Sequence, residues 1–259
     1  MMISIIKTTI AAAAIILGSA AAWAGSNAAA EAGKAYAAQD YNKALELYGQ
    51  AAKADGVSGK LYYNIANTHY RLKDRGQAIL YYERALMLDP SNSQVRADLE
   101  FVREKWQISE DTGASVAADT VGRLSTNTWA TIAVVAFLLT LLLAAAYVAA
   151  PSVALRKVGF FGAGVTLAVC VVANVCAIYM YGRATSHDCA IVTVPQATLG
   201  TAPRQPNGKE VAFKLKEGYK VQLRDSVSSR NGLVTEKWYD VETSDSRRAW
   251  VSAKSITII

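Results

Sequence analysis

The 259-residue chain is poor in the residues that carry most enzyme chemistry. It has two histidines, His69 and His187, far apart and outside any nucleophile–base–acid pattern. Its three cysteines, Cys170, Cys176 and Cys189, have no metal-ligand spacing and form no disulfide framework. The first two read as small packing residues and the third as a lone thiol. No glycine-rich phosphate loop is present. These absences predict a protein that is not an enzyme and holds no cofactor or metal. Two long stretches lack charge altogether. Residues 129–150 and 158–182 contain no Asp, Glu, Lys, Arg or His, which leaves no proton relay or ion path along them.

What those stretches do have is length and apolar character. A helix needs about 20 apolar residues to cross a bilayer core of about 30 Å, and both runs are long enough. The link between them, 151–157, is too short for anything but an antiparallel helical hairpin. Everything before Trp129 and everything after Gly182 then lies on one side of the membrane. Arg156 and Lys157 in the link mark that loop as cytoplasmic. The N-terminus agrees: Lys7, the apolar run Ile10–Leu17 and Ala22-Trp23-Ala24 form a secretory signal peptide over 1–24. An uncleaved signal anchor is the alternative, and it exports the following segment equally. The expectation is a bacterial inner-membrane protein with two spans and both soluble domains in the periplasm. Trp129, Tyr179 and Tyr181 sit near the outer ends of the spans, where aromatic residues favour the membrane boundary. Small residues recur four apart at Gly164 and Ala168 and at Ala173 and Ala177, and Asn174 is the strongly polar residue at depth. These predict helix packing, either within the hairpin or against another membrane protein.

Charge is unevenly distributed. Residues 25–128 carry 12 Lys/Arg against 13 Asp/Glu, and residues 183–259 carry 12 against 8. A basic module beside a bilayer fits anionic lipid or an acidic envelope polymer, and equally an ordinary soluble surface. Nucleic acid is not an expected partner of an exported module.

Between the signal and the first span the sequence repeats at a period of 34. Ala32, Tyr36, Asp40, Ala44, Tyr48 and Ala51 meet Ala66, Tyr70, Asp74, Ala78, Tyr82 and Ala85, and Pro90 closes the second copy. Alanines at fixed positions let paired helices approach, and tyrosines fill the gaps between them. These are signature positions of the tetratricopeptide repeat, a stack of antiparallel helix pairs. The first copy has Gly56 where the closing Pro belongs. Val95, Leu99, Val102 and Trp106 then fall at helical spacing, as in the capping helix a repeat stack needs. The module spans 26–107 with about five helices, and residues 108–128 form a linker. Repeat stacks hold a peptide or a partner's helix in a groove lined by the first helix of each repeat. Asn64 and Asn67 fall on such a helix and are candidates to bond a ligand's backbone, or else solvated polar residues. The matching first-copy positions, Ala29 and Gly33, leave no full charged clamp for a C-terminal carboxylate. His69 occupies a packing position.

From Cys189 the pattern changes to alternation and β-branched residues. Five short strands are expected over 189–259, with Ser226–Leu233 as a polar loop. Glu217-Gly218, Trp238-Tyr239 and Trp250-Val251 at their intervals resemble a bacterial SH3-like β-barrel. Tyr219, Trp238, Tyr239 and Trp250 are candidates for an aromatic ligand groove. Some of them must instead form the core of so small a domain. Trp250 is expected partly buried, with Trp238 or Tyr239 showing a face to solvent.

Taken in order, the signal peptide, two repeats with a cap, the membrane hairpin and the SH3-like ending resemble the BatE-type proteins of the Bacteroides aerotolerance operon. The segments Leu61–Asn67 and Ala78–Pro90 carry much of the likeness. The resemblance implies a part in an inner-membrane assembly with von Willebrand factor A-domain membrane proteins and a MoxR-type AAA+ ATPase, and it supplies no catalytic residues. Two functions follow as expectations. One is a scaffold whose repeats and SH3-like domain assemble protein partners. The other is a wall-binding or envelope-sensing module that contacts peptidoglycan.

Overall fold

The computed structural model describes residues 27–108, 121–186, 188–231 and 234–259. The expected signal peptide, most of the linker and His187 lie outside the described residues. Five helices build the first module: α1 over 27–37, α2 (Tyr41–Asp55), α3 (Gly59–Leu72), α4 (Arg75–Leu88) and α5 (Ser93–Lys105). The 34-residue period extends into the caps. The Asp40 and Asp74 carboxylates accept from the amides of Lys43 and Gln77, at the starts of α2 and α4. Ser58 and Asn92 accept from Leu61 and Val95, at the starts of α3 and α5. Such caps satisfy amides that the helix itself cannot pair. Gln39, Lys73 and Gln107, also 34 apart, all have positive φ, where α1, α3 and α5 end. Thus α5 starts and stops as the first helix of a third repeat would. Its buried Val95, Leu99 and Val102 occupy the positions of Leu61, Ile65 and Thr68 in α3. The alanines expected at the helix contacts, Ala32, Ala44, Ala66, Ala78 and Ala85, are fully buried.

The next two helices, α6 (Thr126–Ala149) and α7 (Val153–Thr185), are long and apolar enough to cross a membrane. Each begins earlier than its charge-free run, because Ser125 and Ser152 cap them. They pack antiparallel. Among the less exposed residues of α7, Gly159, Ala163, Thr166, Cys170, Ala173, Ala177 and Met180 alternate steps of four and three, with Gly162 and Cys176 flanking that stripe. This 3.5-residue spacing keeps one seam on the partner helix in left-handed crossing geometry. A Cβ on Gly159 would lie 3.0 Å from the Leu143 carbonyl oxygen, so glycine permits the close approach. The Thr140 hydroxyl donates to Thr166 across the seam at 2.8 Å.

The C-terminal module holds seven strands in one antiparallel sheet, not five: β1 (Cys189–Val192), β2 (Gln196–Gly200), β3 (Val211–Lys216), β4 (Lys220–Asn231), β5 (Val234–Glu242), β6 (Arg248–Ser252) and β7 (Ile256–Ile258). Their order is β3-β2-β6-β5-β4-β1-β7. The edges β3 and β7 are not paired to each other, so the sheet is open where a closed barrel was expected. Most of the expected Ser226–Leu233 loop is strand. Ser226, Val227 and Ser228 pair with Tyr239, Trp238 and Lys237, making β4 and β5 a long hairpin. Polar side chains mask a strand in sequence, but its backbone is satisfied by the ladder to β5, and Ser226 and Val227 lie opposite Tyr239 and Trp238.

The two soluble modules meet along α4. The Gly76 amide donates to Glu217 at 2.8 Å, and Arg84 donates to the Ile258 carbonyl at 2.8 Å, beside the edge strand β7. A Cβ on Gly76 would stand 2.9 Å from the Val192 carbonyl oxygen. Gly218, at φ +88°, faces the Ile79 and Ile108 side chains, each 2.7 Å from where its Cβ would be. Ile108, read from sequence as the first linker residue, is 3% exposed and belongs to this core, together with Ile191 and Tyr219.

Candidate functional site

The first helices of the repeats, α1 and α3, together with α5, form one side of the module. The second helix of repeat two, α4, is covered by the β module. Four polar residues tie the first-helix side together. The Tyr82 hydroxyl donates to Asn67 Oδ1 at 2.6 Å, and the Tyr63 hydroxyl donates to Asp98 at 2.6 Å. Burial pushes the Tyr82 phenol well above its ordinary value. Burial, then the bond to Asp98, also raises that of Tyr63. Asn67 is therefore committed to an internal network, a role its position in the sequence did not reveal. Asn64 is half-buried one turn earlier, and its carbonyl accepts from the Thr68 hydroxyl.

At the far end of this face lies an aromatic cluster. Tyr70 meets Phe101 at 6.4 Å and Trp106 at 5.6 Å between ring centroids. Phe101 is 53% exposed. Lys105 lies 5.0 Å over the Tyr70 ring and 5.5 Å over Phe101, and donates to the Tyr70 hydroxyl at 2.6 Å. One repeat earlier, Arg71 donates to the Tyr36 hydroxyl at 3.2 Å. Sequence reasoning identified the repeat but missed this pairing. The signal was there, because Arg71 and Lys105 follow Tyr36 and Tyr70 by the same 35 residues. His69 packs as expected, stacked 5.5 Å from Tyr81 with Nδ1 3.1 Å from Asp74. That histidine contact, opposed by burial, holds the Asp74 carboxyl below its ordinary value.

The four β-module aromatics do not converge. Trp250 pairs with Asp240, which places it on the Trp238 side of the sheet, while Tyr239 faces the opposite, core side. Trp238 is 2% exposed, so it offers no open face. Tyr239 is half-buried under the Lys237 ammonium, 4.8 Å from the ring. Tyr219 is wedged between the two modules' cores. In the hairpin, Asn174 donates to the Cys170 carbonyl of its own helix at 2.9 Å. Gly164 has nothing within 4 Å of a built Cβ, and Ala168 is exposed. Both face away from α6, so the small-residue packing in the seam falls to Gly159, Gly162, Ala173 and Ala177.

The strongest electrostatic feature sits at the module junction. Glu83 on α4 accepts from Lys220 on β4 at 2.9 Å and from Arg103 on α5. Burial opposes its ionisation. The Lys220 and Arg103 charges outweigh that and hold the carboxyl well below the usual range.

A family model for the tetratricopeptide repeat matches residues 59–92. No curated protein sequence matches the chain. The match covers α3 and α4 with the turn after them, so the helical module contains tetratricopeptide repeat structure, which generally binds protein partners.

Proposed function

We propose that the chain is a membrane-anchored, non-catalytic scaffold. The α6–α7 hairpin holds it in a bacterial inner membrane, and the repeats and β module stand together in the periplasm. The carrying observation is the junction: among the described residues the β module packs on α4 and leaves the α1–α3 side, with the Phe101 face of α5, uncovered. A repeat stack with its first-helix face free and its second-helix face occupied is arranged to receive a partner on one side only. Both ends of the hairpin lead into this unit, in keeping with flanks on one side of the membrane. Arg156 and Lys157 supply the orientation.

The β module is read as SH3-like with an enlarged, open sheet, and the whole order as BatE-type. On that reading the partners are von Willebrand factor A-domain membrane proteins and the assembly is an aerotolerance complex served by an AAA+ ATPase. Within the face, Asn64 is the candidate contact; outside the seam, Gly164 and Ala168 are candidates to meet another membrane helix. The second reading, peptidoglycan contact by the β module, is supported by that module's excess of four positive charges. The scattered placement of Tyr219, Trp238, Tyr239 and Trp250 weighs against it.

Crosslinking of the tagged protein in intact membranes, followed by mass spectrometry, tests the scaffold. Crosslinks from α3 or α5 to a membrane protein support it. Capture of wall fragments alone would transfer the function to the β module.

A further inference from the structure

A cleft of about 780 Å³ lies where the repeat module meets one end of the hairpin. That volume falls in the range of small-molecule sites. One flank of α5 forms a wall: Arg96, Leu99, Glu100, Arg103 and Glu104 recur at helical spacing over about 12 Å of helix. Ser125 and Thr126 at the start of α6, Met180 near the end of α7 and Lys220 on β4 line it too. Leu86, Leu99, Ile108 and Met180 make part of its surface apolar. The start of α6 and the end of α7 are the same end of the hairpin, beside Trp129 and Tyr179. In a bilayer crossed by the hairpin, the cleft therefore stands at the level of the lipid headgroups.

The charges around the cleft sum to zero, three cations against three carboxylates, but they are not all matched. Arg103 and Lys220 meet Glu83. Arg96 donates to the Pro90 carbonyl, which orients the cation without neutralising it. Glu100 and Glu104 are exposed, and among the described residues neither side chain has a hydrogen bond or an ion pair. Glu100 lies one helical turn from Arg96, a step of about 5–6 Å between Cβ atoms, yet the two do not pair. The cleft thus holds a cation and two carboxylates side by side, next to apolar surface.

Resting on the membrane-anchored reading, we infer that this cleft takes one phospholipid of the adjacent leaflet, with a zwitterionic, amine-bearing headgroup. The ammonium meets Glu100 and Glu104, the phosphate meets Arg96, and the first methylenes of the acyl chains lie on the apolar lining. A lipid fits better than a soluble ligand because the ends of both spans line the cleft. A zwitterion fits better than an anionic lipid because Glu100 and Glu104 repel a headgroup with negative charge alone. Bound there, the lipid ties α5 to the membrane surface and leaves the Phe101 face of the same helix free.

The test uses the full chain in a maltoside detergent and native mass spectrometry. The probes are dioctanoyl phosphatidylethanolamine, dioctanoyl phosphatidylglycerol and dioctanoylglycerol. The ethanolamine lipid is expected to add once, saturably, and about tenfold more tightly than either of the others. Glu100→Gln/Glu104→Gln should weaken it about tenfold, the scale of two partly solvated charge contacts, and should not weaken the phosphatidylglycerol adduct. Both carboxylates are exposed, and circular dichroism checks that the variant folds. Lys105→Gln, outside the cleft, should leave all three lipids unchanged. Equal binding of the three lipids, no saturable ethanolamine adduct, or unchanged affinity in the double glutamine variant would overturn the inference. Washing membranes with alkaline carbonate separates this result from the anchor. If the chain stays with the membranes, the lipid inference falls alone; if it washes off, the membrane-anchored reading falls with it.

Discussion

Glu83→Ala is the perturbation that most sharply probes the module junction. The carboxylate side chain is 11% exposed, and it neutralises Arg103 and Lys220, whose side chains are 18% and 25% exposed. Removing one member of a fully buried ion pair costs about 3–5 kcal/mol, because the remaining charge is left without a counter-charge. Here Arg103 and Lys220 each keep a further interaction besides the one with Glu83, and both retain some water. That lowers the cost to about 2–3 kcal/mol. Glu83→Gln keeps acceptor and donor groups in place and should cost less. The loss falls on the contact between α4, α5 and β4, so opening should be local. Hydrogen exchange read by mass spectrometry resolves it. An opening cost of 2–3 kcal/mol corresponds to roughly 30- to 150-fold faster exchange where the junction limits opening. The acceleration should appear in β1, β7 and the start of β4, while α1 and α2 remain within about twofold. Equal acceleration throughout, or none at β1 and β7, would refute the reasoning.

Acid should open the same junction. Glu83 has a lowered folded-state pKa, so its contribution is complete above the unfolded glutamate value of about 4.3 and is lost as pH falls through the folded value. Junction exchange, corrected for intrinsic rates, should be constant from pH 8 to 5 and rise below about 4; a rise near pH 6 would contradict this. Gly76→Ala should destabilise by about 1–3 kcal/mol, because the new Cβ meets the Val192 carbonyl. Helix propensity alone predicts the opposite sign, a gain of about 1 kcal/mol, so a thermal melt distinguishes the two. Asn67→Ala should cost about 1–3 kcal/mol by leaving the buried Tyr82 hydroxyl without its acceptor, whereas Asn64→Ala should be nearly silent in stability. A chemical denaturation series on both variants checks the contrast.

The helical module was legible because its information is local and repeated. Alanines, tyrosines and capping Asp residues recur at 34, and each position states its own packing role. Even there, one repeat's copy misleads: Asn67 reads as a groove residue, while its side-chain oxygen accepts from Tyr82, which only the folded helix pair brings to it. The hairpin was legible from length and charge. Its seam was not, because two small-residue pairs of equal spacing competed and only Ala173 and Ala177 lie on the 3.5-residue stripe with Gly159. The β module was least legible. Ser226–Ser228 are polar, and their strand depends on Trp238 and Tyr239 across the hairpin. The docking of α4 on β1 and β7 left a faint trace in Gly76 and Gly218. Nothing local marks these glycines as contact points: what requires them is the facing Val192 backbone and the Ile79 and Ile108 side chains.

The central claim is that one face of the repeats is open to a partner while α4 is occupied by the chain's own β module. It is tested most directly by a photo-crosslinking residue placed in turn at Phe101 and at Arg84, in the full chain in intact membranes. The account predicts adducts to a second protein from position 101 and only internal adducts, to β7, from position 84. Adducts to other proteins from position 84, with none from position 101, would contradict it.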